Sequence, residues 1–401
     1  MRILLLHNRY RQQGGEDASV AAHLQLLKER GHDVSLIEAN NTEIDGTAAT
    51  ARAAAGWVYS RKWRAKVATE IAAFRPDVAH VHNVFPLLSP SVIYACNAAR
   101  IPVIQTLHNY RLLCPIGILF RAGKVCEACV GTSFPWAGVL HRCYHQSALG
   151  TAVVGTGTSI HRLLATYSRR VDRFIVLTEF AKAKFVSAHL PVVKFEVIPN
   201  WLASDPGPGA GNGGFFLFVG RLSPEKGVAE LLLAWSRIRT PARLKIVGAG
   251  PLESEVAVAA KRGCGLEYVG HLTSPDVTKL MQQATALIVP SQWYEGLPMT
   301  VIEAYASGTP VIASRLGSLE ELVVPKRTGL LFAPQDPEDL AQKIDWISTN
   351  PGELPSMRSA ARAAFEANYN AACGYRRLMG VYRRAARTVN ANEICEGEAW
   401  N

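Results

Sequence analysis

The chain has 401 residues and a formal net charge of +10, with 48% hydrophobic and 19% charged residues. That length exceeds one ordinary core and predicts two domains, and the composition excludes wholesale disorder. The basic excess favours anionic partners such as phosphates, nucleotides or an acidic membrane surface, but no basic block interleaved with aromatics points to nucleic acid.

The opening Met1–Asn8 run is too short for a leader core and reads as a strand. Strands are then expected over 32–39, 77–83, 102–109, 173–179 and 194–200, with helices over 18–31, 63–76 and 89–101. Strand, helix, strand at this spacing means βαβ units and a parallel sheet. The stretch 204–214 is dense in Gly and Pro and reads as a linker. A second series follows, with strands over 215–222, 242–250, 266–272, 286–291, 310–314 and 329–333, and helices between them. A long helical stretch from 357 is broken near 368–374, and residues 391–400 are expected to fray.

The boundaries expected are a first domain over 1–203 with a Cys-rich insertion at about 110–147, a linker over 204–214 and a second domain over 215–370. A helix from 371 is expected to cross back to the first domain. Two open α/β domains place a cleft between their carboxyl-edge loops, where ligands of such sheets sit. No stretch reaches the roughly 18–20 apolar residues of a membrane span, so a cytoplasmic chain is expected, with its cysteines reduced or metal-bound.

Three motifs carry chemistry. In "FVGRLSPEKGV" a strand ends at Gly220, and Arg221 and Lys226 stand beside a helix start, an arrangement suited to a diphosphate. In "IVGAGP" Gly248 lets a ligand approach the backbone. In "YEGLPMTVIEA" Pro298 suits a first helical turn, so the amides of Gly296, Leu297, Met299 and Thr300 lie near a helix N-terminus. Glu295 and Glu303 flank them, and a carboxylate suits the adjacent hydroxyls of a sugar or ribose.

These stretches, with "TGLLF", "RYRQQGGED", "HVHN" and "TLHNYRLLCP", resemble the retaining two-Rossmann glycosyltransferases of GT-B fold, specifically glycosyltransferase family 4. The resemblance implies an α/β GT-B fold of two doubly wound domains facing a cleft. It implies transfer of a hexose-type sugar from a UDP- or GDP-sugar to a glycan or polyprenyl-linked acceptor, with retention and with no cofactor required for catalysis. No Asp-x-Asp metal pair is present near the motifs. By the same resemblance Arg221 and Lys226 neutralise the donor diphosphate, Glu303 holds the ribose and Glu295 the transferred sugar. His108 lies near that sugar, Gly14 and Gly15 under the diphosphate, and His271 and Leu272 beside the base.

Cys114, Cys126, Cys129 and Cys143 cluster in sequence, and the Cys-x-x-Cys pair suits a structural zinc; loose thiols in an insertion are the other reading. His80 and His82 alternate along a strand and so share a face, where they either pair on a metal or, more simply, line the cleft, as His7 is expected to do. The apolar stretch 147–167 reads either as a buried helix or as a peripheral contact at the inner face of a membrane. A nucleotide-sugar-binding protein without turnover is the alternative function; a Rossmann oxidoreductase lacks its G-x-G-x-x-G after the first strand.

Overall fold

A computed structural model of the chain describes residues 1–11 and 14–398, with side-chain surroundings up to residue 386. Its strands are β1 (Arg2–Arg9), β2 (Asp33–Asn40), β3 (Val78–Val81), β4 (Val103–Thr106), β5 (Phe120–Arg121), β6 (Lys124–Val125), β7 (Arg173–Val176), β8 (Phe195–Val197), β9 (Phe216–Val219), β10 (Leu244–Val247), β11 (Leu266–Gly270), β12 (Ala286–Val289), β13 (Val311–Ser314) and β14 (Gly329–Phe332). Among the described residues two compact units result: those of 1–118, 127–199 and 374–398 form the first, and 119–126 with 200–373 the second.

In the first unit six parallel strands run in the order β2-β1-β3-β4-β7-β8. The sequence writes its inner strands as unbroken apolar runs because helices cover both faces; Ile3 to Leu6 are fully buried. The chain goes outward from β1 to β2, then returns to β3, so the order reverses between β1 and β3. Ligand loops of doubly wound sheets gather at the carboxyl ends of such a reversal.

The second unit repeats the plan in the order β11-β10-β9-β12-β13-β14, and its reversal lies between β9 and β12. Its core packs Phe216, Leu231, Trp235, Ile288 and Ile344 between sheet and helices. The Gly/Pro-rich stretch is irregular but not a loose tether, because its backbone is bonded down along this unit. Gly209 N donates to Ser307 O, Gly211 N to Gln282 O and Gly213 N to Gln283 O, each at 2.9 Å. Asp205 adds a bidentate pair with Arg362 at 2.5–2.7 Å. The second unit therefore begins at Asn200, not at 215, and takes in the β5–β6 hairpin from the Cys-rich insertion.

The closing helical stretch divides into Leu354–Asn368 and Ala371–Glu398. The second piece joins the first unit, where Tyr375 meets His32 at 2.9 Å and Arg384 meets Glu196 at 3.0 Å. Of the expected frayed end, 399–401 lie outside the described residues.

The apolar stretch becomes the helix Ala148–Leu163, and its small residues have a packing role. A side chain at Gly157 would collide with the Trp57 indole of helix Gly46–Val58, and Trp57 Nε1 donates to Val154 O at 3.3 Å. One face of this helix is buried and its two ends carry exposed leucines. Among the described residues no helix is long and apolar enough to cross a membrane.

Candidate active site

In the second unit the loops after β9 and β12 lie against each other at the sheet reversal. Gln292 N donates to Glu225 O at 2.8 Å, and Lys226 Nζ donates to Glu295 Oε1 at 2.7 Å. The same oxygen accepts from Ser291 Oγ at 2.6 Å, and Ser318 Oγ donates to the Glu295 carbonyl at 2.8 Å. Glu295 is only 4% exposed, so its charge depends on those partners; the Lys226 ammonium is a quarter exposed and faces the Trp293 ring at 5.4 Å. Two residues 69 apart in sequence are thus one charged pair.

Glycines allow this close approach. Gly227 adopts φ +71°, and a Cβ there would lie 1.8 Å from the Pro290 carbonyl oxygen. Gly248 adopts φ +141°, and a Cβ there would lie 1.9 Å from the Gly220 oxygen. The ends of β9, β10 and β11 are tied together accordingly: Gly220 N donates to Val247 O and Gly248 N to Gly270 O. Arg221 is exposed just beyond β9, and His271 and Leu272 follow β11.

Pro298 caps the helix Met299–Ala306 from one position before it, where the sequence reading had put it inside the first turn. No side chain caps this helix start, so the amides of Met299 and Thr300 are oriented for an anion. Glu303 is half-buried one turn in, and burial raises its carboxyl above the ordinary glutamate range.

The first unit brings a different group together at its own reversal. Gly14 N donates to Asp17 Oδ2 at 3.0 Å, which starts the helix Gly15–Glu29, and Asp17 Oδ1 lies 2.9 Å from His7 Nε2. His108, after β4, bonds through Nε2 to His82 Nδ1 at 2.9 Å. Burial pushes His108 down to about 3, so it is neutral near pH 7, with Nδ1 as its remaining ring nitrogen.

His7, His80 and His82 do not line a surface: their exposures are 1%, 0% and 4%. His80 is held at 2.7 Å by Tyr382 and by Thr106, and burial lowers its pKa well below the ordinary value. The His80 and His82 rings do lie together, 4.1 Å between centroids, and it is His80 that meets Tyr382 of the closing helix.

Sequence reasoning passed over Glu16, whose only signal was its place after the Gly-Gly pair. Asn109, next to His108, donates to Glu16 Oε2 at 3.3 Å and to the Tyr10 hydroxyl at 3.2 Å. Burial, reinforced by the adjacent Asp17 charge, pushes the Glu16 carboxyl up to about 8. A raised carboxyl pKa favours the protonated folded chain. Its stabilising share is full below the ordinary glutamate value of 4.5 and is lost as pH rises through about 8. Glu16→Gln is expected to flatten the fall of stability across that window, read as urea midpoints at several pH values. An unchanged pH slope would count against this account.

The four insertion cysteines do not assemble as a zinc site. Among the described residues no group of three or more His, Cys, Asp or Glu side chains is placed to hold a metal ion. Cys129 and Cys143 both lie by Gly138: a Cβ there would be 3.4 Å from Cys129 Sγ, and Cys143 N donates to Gly138 O at 3.0 Å.

Two family models match the chain in succession: Glycosyltransferase Family 4 over residues 13–205 and Glycosyl transferases group 1 over residues 206–364. Glycogen synthase of Mycobacterium tuberculosis (strain ATCC 25618 / H37Rv) is 32% identical over 160 residues, which is 38% of this chain and 38% of that protein. The match therefore spans under half of the relative's length. Among solved structures, Anabaena Alr3699/HepE in complex with UDP superposes with TM-score 0.66 at 16% identity, covering 98% of this chain and 100% of that one. The same Anabaena protein was also solved with UDP-glucose, with TM-score 0.64, 16% identity and the same coverage. Sucrose-phosphate synthase from Thermosynechococcus elongatus superposes with TM-score 0.70 at 18% identity, covering 96% and 98%. At such identities the likeness is one of fold, and the fold is GT-B. The Glycosyltransferase Family 4 and Glycosyl transferases group 1 models together match residues 13–364, and the chain belongs to the family 4 type of glycosyltransferases.

Proposed function

We propose that this chain moves a hexose-type sugar from a nucleoside-diphosphate donor to a glycan or polyprenyl-linked acceptor, with retention and without a catalytic metal. The reading places it in cell-surface polysaccharide or glycolipid synthesis, on the cytoplasmic side and in peripheral contact with a membrane. The observation that carries it is the Lys226–Glu295 pair at the β9/β12 reversal, beside an uncapped helix start. Cleaving a sugar–diphosphate bond builds negative charge on the departing phosphate. Arg221, Lys226 and the amides of Met299 and Thr300 supply positive potential for that charge. Glu295, buried and ionically held, accepts hydroxyls of the sugar, and Glu303 those of the ribose. His108 offers its neutral Nδ1 to the sugar. Retention is carried over from the family. The Anabaena protein of the same fold was solved with UDP and with UDP-glucose, which makes a uridine donor the first to test.

The test is calorimetric binding and turnover with a panel of UDP- and GDP-sugars. One donor should bind and be hydrolysed slowly without acceptor; binding without turnover, with any acceptor, would favour a binding protein. Glu303→Gln should weaken UDP itself about ten-fold, the size of one charge-assisted hydrogen bond. Unchanged UDP affinity in that variant would remove the ribose role.

A further inference from the structure

The loop after β12 grips the Lys226 ammonium at two points. Nζ donates to Glu295 Oε1 at 2.7 Å, and it lies over the Trp293 ring, 5.4 Å from the centroid. An ammonium over an aromatic face within about 6 Å of its centroid is drawn to the ring's negative quadrupole, and tryptophan offers the strongest such face. The backbone sets this register. Gln292 N donates to Glu225 O at 2.8 Å, and Trp293 and Lys226 are the residues that follow this bonded pair.

An indole can also act through its N–H, and here that group is idle. Trp293 Nε1 is buried and has no hydrogen-bond partner among the described residues, whereas a buried indole N–H ordinarily finds one. An unpaired buried donor is a cost that phenylalanine would not carry, so the gain from tryptophan lies in its ring face. An ammonium has three N–H donors. With one on Glu295 and the ring on another side, Lys226 is still a quarter exposed and keeps donor capacity for a ligand. We infer that Trp293 is a positioning residue, whose ring face holds the Lys226 ammonium beside Glu295 so that a diphosphate meets a cation already in place. This rests on the diphosphate reading of Lys226 given above. A lysine stem has many rotamers, and a ligand that must first order it binds more weakly.

The test is titration calorimetry of the full chain with UDP. Trp293→Leu should weaken UDP about five-fold, the size of one partly exposed cation–π contact. Trp293→Phe keeps a ring face and should recover most of that loss, which a role for the indole N–H would not allow. Lys226→Met keeps an apolar stem without the charge, and in that background Trp293→Leu should cause no further loss. The native chain, the Leu and Met single variants and their double are also unfolded in urea. Their midpoints should be coupled, with each substitution costing less once the other is made. The urea cycle needs no nucleotide. A native chain that binds no UDP removes the diphosphate reading, and the cycle still decides whether ring and ammonium act together. Trp293→Met, which fills the space without a ring face, replaces the Leu variant if that one does not fold. Native UDP affinity in the variant lacking a ring, Phe no better than Leu, or additive effects in both cycles overturns the inference.

Discussion

Lys226→Ala is expected to lower sugar transfer by about 10²–10³-fold and to destabilise the second unit by about 2 kcal/mol. Both effects have one cause. Glu295 is 4% exposed and takes its charge-compensating bond from Lys226 at 2.7 Å. Without the ammonium, Ser291 alone remains on that oxygen, and a buried carboxylate is left poorly compensated. Glu295→Gln removes the charge but keeps the shape, so it should cost less stability while losing comparable activity. The pair of single variants with the double forms a cycle, read by urea denaturation and by turnover of the active donor. Coupling near zero in stability would mean that the pair is a contact without energetic consequence. Near-normal turnover in Lys226→Ala would end the catalytic assignment.

Gly227→Ala is expected to cost about 4 kcal/mol or more, enough to lower the melting temperature by roughly 10 °C. The added methyl meets the Pro290 carbonyl oxygen at 1.8 Å in a backbone region that L residues rarely adopt. The chain cannot yield cheaply, because Gly227 ends the short turn Pro224–Lys226 and begins the helix Val228–Trp235. Relief requires the β9 loop to leave the β12 loop, which would also pull Lys226 from Glu295. Gly352→Ala is the control, since a methyl there meets nothing within 4 Å. Equal melting temperatures for the two variants would show that the loops are not packed as described.

The alternating architecture was legible because parallel strands buried on both faces must be written as short apolar runs. "RILLLHN", "FFLFVG" and "ALIVPS" are such runs, each bounded by a turn residue or a polar loop. The glycines beside the motifs were legible for a related reason: only glycine satisfies a positive φ under a close carbonyl, as at Gly227 and Gly248.

Other features lay beyond local pattern. Glu295 and Lys226 could be named separately from motif resemblance, but their pairing across 69 residues depends on β9 and β12 being neighbours at the reversal. His80 looked like a residue near a ligand until the closing helix, 302 residues on, covered it with Tyr382. Beyond its place after Gly14 and Gly15 nothing in the sequence marked Glu16, because its raised pKa comes from burial and from the Asp17 charge, which Arg111, Asn109 and Tyr10 only partly offset. The Cys-x-x-Cys spacing suited a metal, but among the described residues no group of three or more His, Cys, Asp or Glu side chains is placed to hold one. Periodicity and turn chemistry act through neighbours in sequence, so the sequence by itself determined the elements, their order and the residue types offered at each loop. Which side chains become paired, buried or charged depends on strand order and helix stacking, which act between residues distant in the chain, and only the tertiary structure decided those.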